Sequence, residues 1–374
     1  MMDNKNLFSA FSPVDRDEWW TKVAKDLKGR NPAELRWKVE SELDMDPFYH
    51  FDSQEITAIP QGQIKNSNHW EIAECFQVNF TQIIATNQTI LSALMGGAEA
   101  IQLTMDRRPT EPELEQLLQG LKLSYISTHL VFNIEEEIPL AWLGRLITIV
   151  KVHQDAHEPL RGSLHFPRLR PAKRQEFQQV LAKALPGFKC QNIQVDYREG
   201  ITRGLAKAIH EASHGLDLYA AGGMPPEQIN RYLHFSIQIG CQYFVEMARI
   251  RALRLLWANV LQAYGLKSQE DVCIEAHLHP DSQLEDQHAN MIRATTQAMS
   301  AVLGGADRLT VLPANTPLEG PNEFTRRIAR NVQHLLKMET YLDRVVDPAA
   351  GSYYIETLTQ KIATAAWKQF REMG

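Results

Sequence analysis

Residues 70–104 read WEIAECFQVNFTQIIATNQTILSALMGGAEAIQLT, and the order of segments within them decides the fold. Trp70–Val78 is a short run rich in strand-forming residues. Thr81–Met95 is a longer helical stretch, and Ala98–Thr104 is strand-like again. Gly96 and Gly97 stop the helix with residues free to take a left-handed cap. A crossover of this length joins parallel strands, because an antiparallel return needs only a tight turn. The same junction recurs at Leu303-Gly-Gly-Ala-Asp-Arg-Leu309. In both places the glycines close a helix and enter a strand. A phosphate-binding loop has the opposite order.

The alternation continues in both directions. Further strand candidates are Leu123–Phe132, Gly162–Phe166, Asn192–Tyr197, Tyr232–Ile239, Val272–His277 and Arg308–Leu312. Helical stretches fall at Glu111–Leu118, Pro139–His153, Ala172–Leu185, Thr202–Leu218, Gln242–Tyr264, Gln287–Leu303 and Glu323–Met338. Eight β/α units predict an α/β protein built as a (β/α)8 TIM barrel. An open doubly wound sheet would give a similar string. The barrel is expected over residues 69–374. Residues 1–68 read differently. Asp15–Lys28 forms one amphipathic helix with Trp19, Val23 and Leu27 on a face. Prolines and scattered aromatics follow, including Trp37, Phe48 and Tyr49. This segment is expected to be an arm that packs on the barrel or on a partner subunit.

Bulk properties exclude several classes. The chain has 374 residues, is 44% hydrophobic and carries a formal charge of −6. A nucleic-acid protein would show a basic stripe, and none is present. No apolar run reaches the ~18 residues a membrane helix needs. The N-terminus has no apolar core of a signal peptide. Cys75, Cys190, Cys241 and Cys273 lie far apart, as reduced thiols of a cytoplasmic protein would.

Several constellations are candidates for chemistry. His210-Glu-Ala-Ser-His214 matches H-E-x-x-H, a zinc-hydrolase pattern. Its helix belongs outside the barrel, whereas barrel active sites lie at strand C-termini, and Gly215 is expected to end that helix. Zinc at His210 and His214 is therefore rejected. His277 and His279 close the seventh strand and share one side of it, facing the barrel mouth. Asp106-Arg-Arg-Pro109 and the basic run Arg168–Arg174 are candidate anion contacts set against solvated loops. Arg249, Arg251 and Arg254 read as the solvated face of their helix.

One segment is more specific. Arg327-Ile-Ala-Arg-Asn331, with Leu335, Leu336, Glu339 and Arg344, leads into Asp347-Pro-Ala-Ala-Gly-Ser352. It resembles the signature of the methylmalonyl-CoA mutase family of cobalamin-dependent acyl-CoA mutases. Glu246–Trp257 is similar to the family's arginine-rich helix, and Asn290-Met-Ile-Arg-Ala-Thr295 to its N-x-x-R-x-T helix. Trp19 and Leu27-Lys-Gly29 are similar to its subunit-wrapping extension. The resemblance implies a barrel threaded by acyl-CoA, with His277, His279, Asn290 and Arg293 as substrate contacts and His277 as a catalytic remnant.

The departures fall where the family's chemistry lies. Cys75 stands where active subunits carry a tyrosine. Val195-Asp-Tyr-Arg-Glu-Gly200 lacks the histidine that lies beneath cobalamin. Gly162-Ser-Leu-His-Phe166 replaces a substrate-holding segment. Glu275 replaces an arginine, which should disfavour an anionic ligand. The family's cobalt-ligating D-x-H-x-x-G loop does not occur in the chain. The resemblance therefore implies the small subunit, non-catalytic itself, pairing with a catalytic large subunit or with itself. Adenosylcobalamin is expected at the level of the complex, with none bound by this chain alone. The alternative is an active mutase barrel served by a separate or removed cobalamin domain.

Overall fold

Alternation within each strand builds the molecule: one face turns to a ring of helices and the other to a central lumen. The structure, a computed structural model, describes residues 12, 14–50, 65, 67–136, 138–154, 158–167, 171–266 and 272–373. The strands are β1 (Trp37–Glu40), β2 (Leu43–Met45), β3 (Glu71–Gln77), β4 (Ala100–Met105), β5 (Ser127–Phe132), β6 (Arg161–His165), β7 (Phe188–Lys189), β8 (Gln191–Val195), β9 (Leu233–Ile239), β10 (Cys273–Leu278) and β11 (Arg308–Thr310). The helices are α1 (Arg16–Asp26), α2 (Ile83–Met95), α3 (Glu111–Leu118), α4 (Leu140–Val152), α5 (Pro171–Ala184), α6 (Ile201–Ala221), α7 (Pro226–Tyr232), α8 (Tyr243–Ala263), α9 (Gln287–Leu303), α10 (Glu323–His334) and α11 (Tyr353–Met373).

All pairings among β3 to β11 are parallel, in the order β7-β6-β5-β4-β3-β11-β10-β9-β8. β7 pairs with β6, and β8 pairs with β9. The two are halves of one strand broken at Cys190, whose amide donates instead to the Tyr232 carbonyl at 2.9 Å. The ring is therefore completed through the chain itself, and the α/β (β/α)8 expectation holds.

Outward-facing residues carry the packing. Ile101, Leu103, Leu130 and Phe132 meet Leu117, Leu143 and Leu146 in one cluster. Ile237, Ile274 and Leu309 meet Leu253, Trp257, Ala298 and Leu358 in the other. Each large side chain so buried contributes roughly 1.5–3 kcal/mol. α2 buries Ile83, Asn87, Ile90 and Ala93, a stripe at helical spacing. Asn87 uses its amide to satisfy the carbonyls of Leu117 and Gln119, where α3 ends.

The described portion of the arm is tied to the barrel. Val39, Leu43 and Met45 of the β1–β2 hairpin enter the cluster that holds Ile209 and Leu216 of α6. The Glu40 carboxylate accepts from the Ile201 amide at 2.8 Å and from the Thr202 hydroxyl at 2.7 Å. It thereby caps the positive end of α6. α1 buries none of its residues.

Three expectations need correction. The fifth strand begins at Phe188, ahead of the predicted Asn192, and Tyr197 lies past its end in a turn. The third begins at Ser127, because Leu123–Tyr125 form a single turn of 3-10 helix. α6 does not end at Gly215 but runs to Ala221. Gly215 serves close packing instead: a Cβ there would stand 2.2 Å from the buried Gln191 amide nitrogen. α7 follows and was not anticipated. It is held by Asn230, which accepts from the buried Trp257 indole at 2.9 Å. Of the basic run Arg168–Arg174, Arg168 and Arg170 lie outside the described residues, and position 174 falls within α5.

Candidate functional site

A (β/α)8 lumen is ordinarily filled by layers of branched apolar side chains. Here the inward positions are polar. Glu275 on β10 and Arg308 on β11 are Cα register partners and form a buried ion pair. Arg308 also reaches His129 on β5, three strands further round the ring. His129 is fixed from behind by Ser163 of β6 at 2.9 Å. Ser127 donates to Glu71 of β3, whose carboxylate also faces Arg308. On the other side, His234 of β9 lies 3.7 Å from Glu275. The side chains of Glu275, Arg308, His129 and His234 are almost wholly buried. At this level the chain's own residues bridge the barrel axis.

Nearer the C-terminal mouth the lumen is more open. His277 keeps 20% of its side-chain exposure and contacts Glu275 at 2.6 Å. Cys75 of β3 is also among its neighbours. The Cys75 sulfur lies 3.7 Å from the Thr310 hydroxyl on β11.

Electrostatics follow from this arrangement. Burial opposes protonation of His277, but Glu275, with Cys75, outweighs it and raises its pKa to about 10. Burial pushes the Glu275 carboxyl up, yet Arg308 and His277 outweigh that and hold it well below its usual range. Burial and the Arg308 charge hold His129 well below the ordinary histidine value. His234 is lowered likewise by burial, against the pull of Glu275. The centre is thus Glu275 flanked by two cations, Arg308 and His277, with two neutral imidazoles. This corrects the expectation that Glu275 alone repels anions: its charge is already compensated. Arg308 Nε and His234 Nδ1 are buried there without a protein hydrogen-bond partner.

Of the residues proposed from sequence, only His277 joins this centre. His279 is buried outside it. Its Nδ1 accepts from the Asp281 amide at 3.0 Å and its ring packs on Tyr197 at 4.7 Å. Asn290 clamps the following loop through Leu284 and the Ala314 carbonyl. Arg293 donates to the Ser282 carbonyl at 3.2 Å. Both are loop supports. His210 and His214 are exposed on α6, outside the barrel. Among the described residues no group of three metal-ligating side chains forms. Arg107 and Arg108 are paired with Glu113 and Glu136.

The arginines read as a solvated face are ion-paired supports, Arg249 and Arg254 buried and Arg251 partly so, a further correction. Arg249 pairs with Glu246 at 2.6 Å, and Arg254 with Asp307 at 2.6 Å. Arg251 holds Asp347 and Glu356, tying the Asp347–Ser352 turn and α11 to α8. Arg326 and Arg330 of α10 grip Glu74 on the outer face of β3. Arg308, His129 and His234 were missed as site residues. Their signal was present: Ser127-x-His129, Ser163-x-His165 and His234-x-Ser236-x-Gln238 put polar residues at every second position of strands buried on both faces.

Geometry alone defines a (β/α)8 protein with an ionised, internally bridged lumen, its closing helices clamped by arginines. Residues 200–374 match the family model described as methylmalonyl-CoA mutase. Over 98% of its length the chain is 30% identical to a methylmalonyl-CoA mutase small subunit of Porphyromonas gingivalis. It is 27% identical over 99% to the small subunit of Streptomyces virginiae, and 26% over 96% to a methylmalonyl-CoA mutase of Cereibacter sphaeroides. The chain is similar to the methylmalonyl-CoA mutase family, and to its small subunits across the barrel. It spans 64%, 65% and 58% of those three relatives respectively.

Proposed function

We propose that this chain is the barrel of the small subunit of a methylmalonyl-CoA mutase, cytoplasmic, pairing with a catalytic large subunit and stabilising it without performing the radical rearrangement itself. The complex interconverts methylmalonyl-CoA and succinyl-CoA, and adenosylcobalamin belongs to the catalytic partner. One observation carries this reading: Arg308 bridges the lumen from β11 to His129 on β5. An acyl-CoA threaded along the axis would have to break that bridge and uncover Glu275. Leaving one member of a buried pair uncompensated costs about 3–5 kcal/mol.

The residues after the fifth strand do not fit a cobalamin face. Tyr197 packs on His279, whose ring nitrogen is used by the Asp281 amide. Arg198 pairs with Asp281 across the mouth at 3.6 Å. The side chains here are engaged with each other, and no step is routed through the cofactor. The test is acyl-CoA titration of the purified chain by calorimetry. No binding along the axis is expected, and tight binding that Arg308→Met strengthens would refute the proposal.

A further inference from the structure

The geometry points to a face on which this chain pairs with a second copy of itself: the outer stripe of α10 and the turn that follows it. The pairing does not depend on the role in the mutase and is measured on the chain alone. The stripe begins with sequence spacing. In α10 and the π turn Leu335–Glu339 the exposed positions are 323, 324, 327, 331, 335, 338 and 339. Steps of three and four put Phe324, Arg327, Asn331 and Leu335 on one helix face, and Met338 continues it. From Phe324 to Met338 the stripe is about 20 Å long. The other cations of this segment are committed inward. Arg326 and Arg330 grip Glu74, and Lys337 is drawn in to Glu99 at 2.8 Å. Large apolar groups are left outside: Phe324, Leu335, Met338 and Tyr341 stay 49%, 55%, 64% and 56% exposed. Met95, 90% exposed, joins them, because the Gly96 carbonyl beside it accepts from the His334 ring at 3.1 Å.

Other parts of the barrel differ. Among the described residues, positions 101–243 expose three large apolar side chains, whereas positions 284–353 expose nine. The exposed apolar surface is therefore concentrated in one sector, as at interaction sites. Two costly conformations hold the lower end of the stripe. A π turn is rare and occurs mostly at functional sites. Tyr341 stands in the left-handed region at φ 54, which side chains other than glycine seldom adopt. Both fall where the stripe leaves α10, and each carries an exposed apolar side chain, Met338 and Tyr341.

Area and charge name the occupant. An aromatic side chain covers about 150–250 Å² and an aliphatic one less, so the open apolar part of the stripe is on the order of 500 Å². A standard interface takes about 800 Å² from each partner, somewhat more than half of it apolar. The stripe supplies one partner's share. Arg327 lies at one end, over the Phe324 ring at 5.8 Å, and Glu339 lies at the other. Both are exposed, and neither has an ion-pair partner among the described residues. Twelve residues of helix, about 18 Å, keep them apart within one chain. Two copies of α10 crossing antiparallel about a two-fold axis set each Arg327 against Glu339 of the other copy, and the symmetry makes the contact twice. The same operation brings the exposed Glu323 toward Arg344 of the other copy. A parallel pairing would oppose like charges.

The test is sedimentation equilibrium of the full chain. A dimer of twice the 42.6 kDa chain mass is expected. At about 10 µM it should predominate, since interfaces of this size dissociate in the micromolar range or below. Leu335→Asp and Met338→Asp place carboxylates on the stripe and should each raise the dissociation constant on the order of 100-fold. Circular dichroism should not change, because both side chains are more than half exposed. Val152→Asp on α4, at a position 77% exposed, is the control and should leave the dimer intact. Arg327→Glu should weaken the dimer on the order of 10-fold, and Glu339→Arg added to it should restore the pairing. The unaltered chain needs no variant to fold. A chain that stays monomeric at about 100 µM overturns the proposal. So does a dimer indifferent to Leu335→Asp, or a charge reversal that its complement does not rescue.

Discussion

Glu275 and Arg308 lie side by side on adjacent strands, registered as Cα partners, and their buried ion pair is the hub from which His277, His129 and His234 are arranged. Removing Glu275 strands the Arg308 guanidinium in a low-dielectric interior. Glu275→Leu should destabilise the fold by about 3–5 kcal/mol, measured by urea denaturation. Glu275→Leu combined with Arg308→Met should recover much of that loss, since no lone charge remains. A double variant as unstable as the sum of the singles would contradict the ion-pair account.

The same hub sets the pH dependence of stability. His277 has a raised folded pKa, about 10, so its contribution is complete below the unfolded value of about 6.5 and is lost as pH rises toward 10. His129 and His234 are lowered, so the unfolded chain binds their protons first. Stability from them falls as pH drops below about 6.5. Glu275, also lowered, adds a loss in acid beneath the usual carboxylate range. Urea midpoints should therefore peak near neutrality and decline on both sides. In His277→Gln the decline on the alkaline side should flatten.

Much of the fold was legible in the sequence, because the alternation of strand and helix leaves a local signature at each β/α unit. The strand broken at Cys190 was not, since its two halves are defined by which neighbour each pairs with. Gly215 looked like a helix stop, and only the approach of Gln191 reveals why a glycine is needed in mid-helix. The site was less legible. His277 was found through its place at a strand end. Arg308 stands next to a Gly-Gly-Ala-Asp junction that reads as loop chemistry, and its partners on β5 and β10 are remote in sequence. A lumen is assembled from single residues of many strands, so no one segment announces it.

Backbone packing gives a third expectation. Gly162 on β6 has φ +152, and a Cβ there would stand 1.8 Å from the Thr128 carbonyl oxygen of β5. Gly162→Ala must push these paired strands away from each other. A loss on the order of 3 kcal/mol is expected by thermal or chemical unfolding.

The family signature segment gives a fourth. Arg251 reaches both oxygens of Asp347 at 3.0 Å and Glu356 at 2.8 Å. Arg251→Ala leaves both carboxylates without that partner and should destabilise by about 2–4 kcal/mol. Limited proteolysis should show faster cleavage in residues 341–352, the turn that Arg251 anchors. Cleavage confined to other loops would show that α11 is held by its apolar face alone.

The proposed role is tested most directly by mutase turnover in a complex assembled from this chain and the catalytic large subunit proposed for it. Methylmalonyl-CoA conversion is compared between the unaltered small subunit and His277→Ala, with assembly checked by gel filtration. Equal turnover per catalytic subunit is the result that the proposed non-catalytic role predicts. A fall of roughly 100-fold in kcat with the complex intact, the scale of a lost catalytic group, would mean that this barrel performs the chemistry itself.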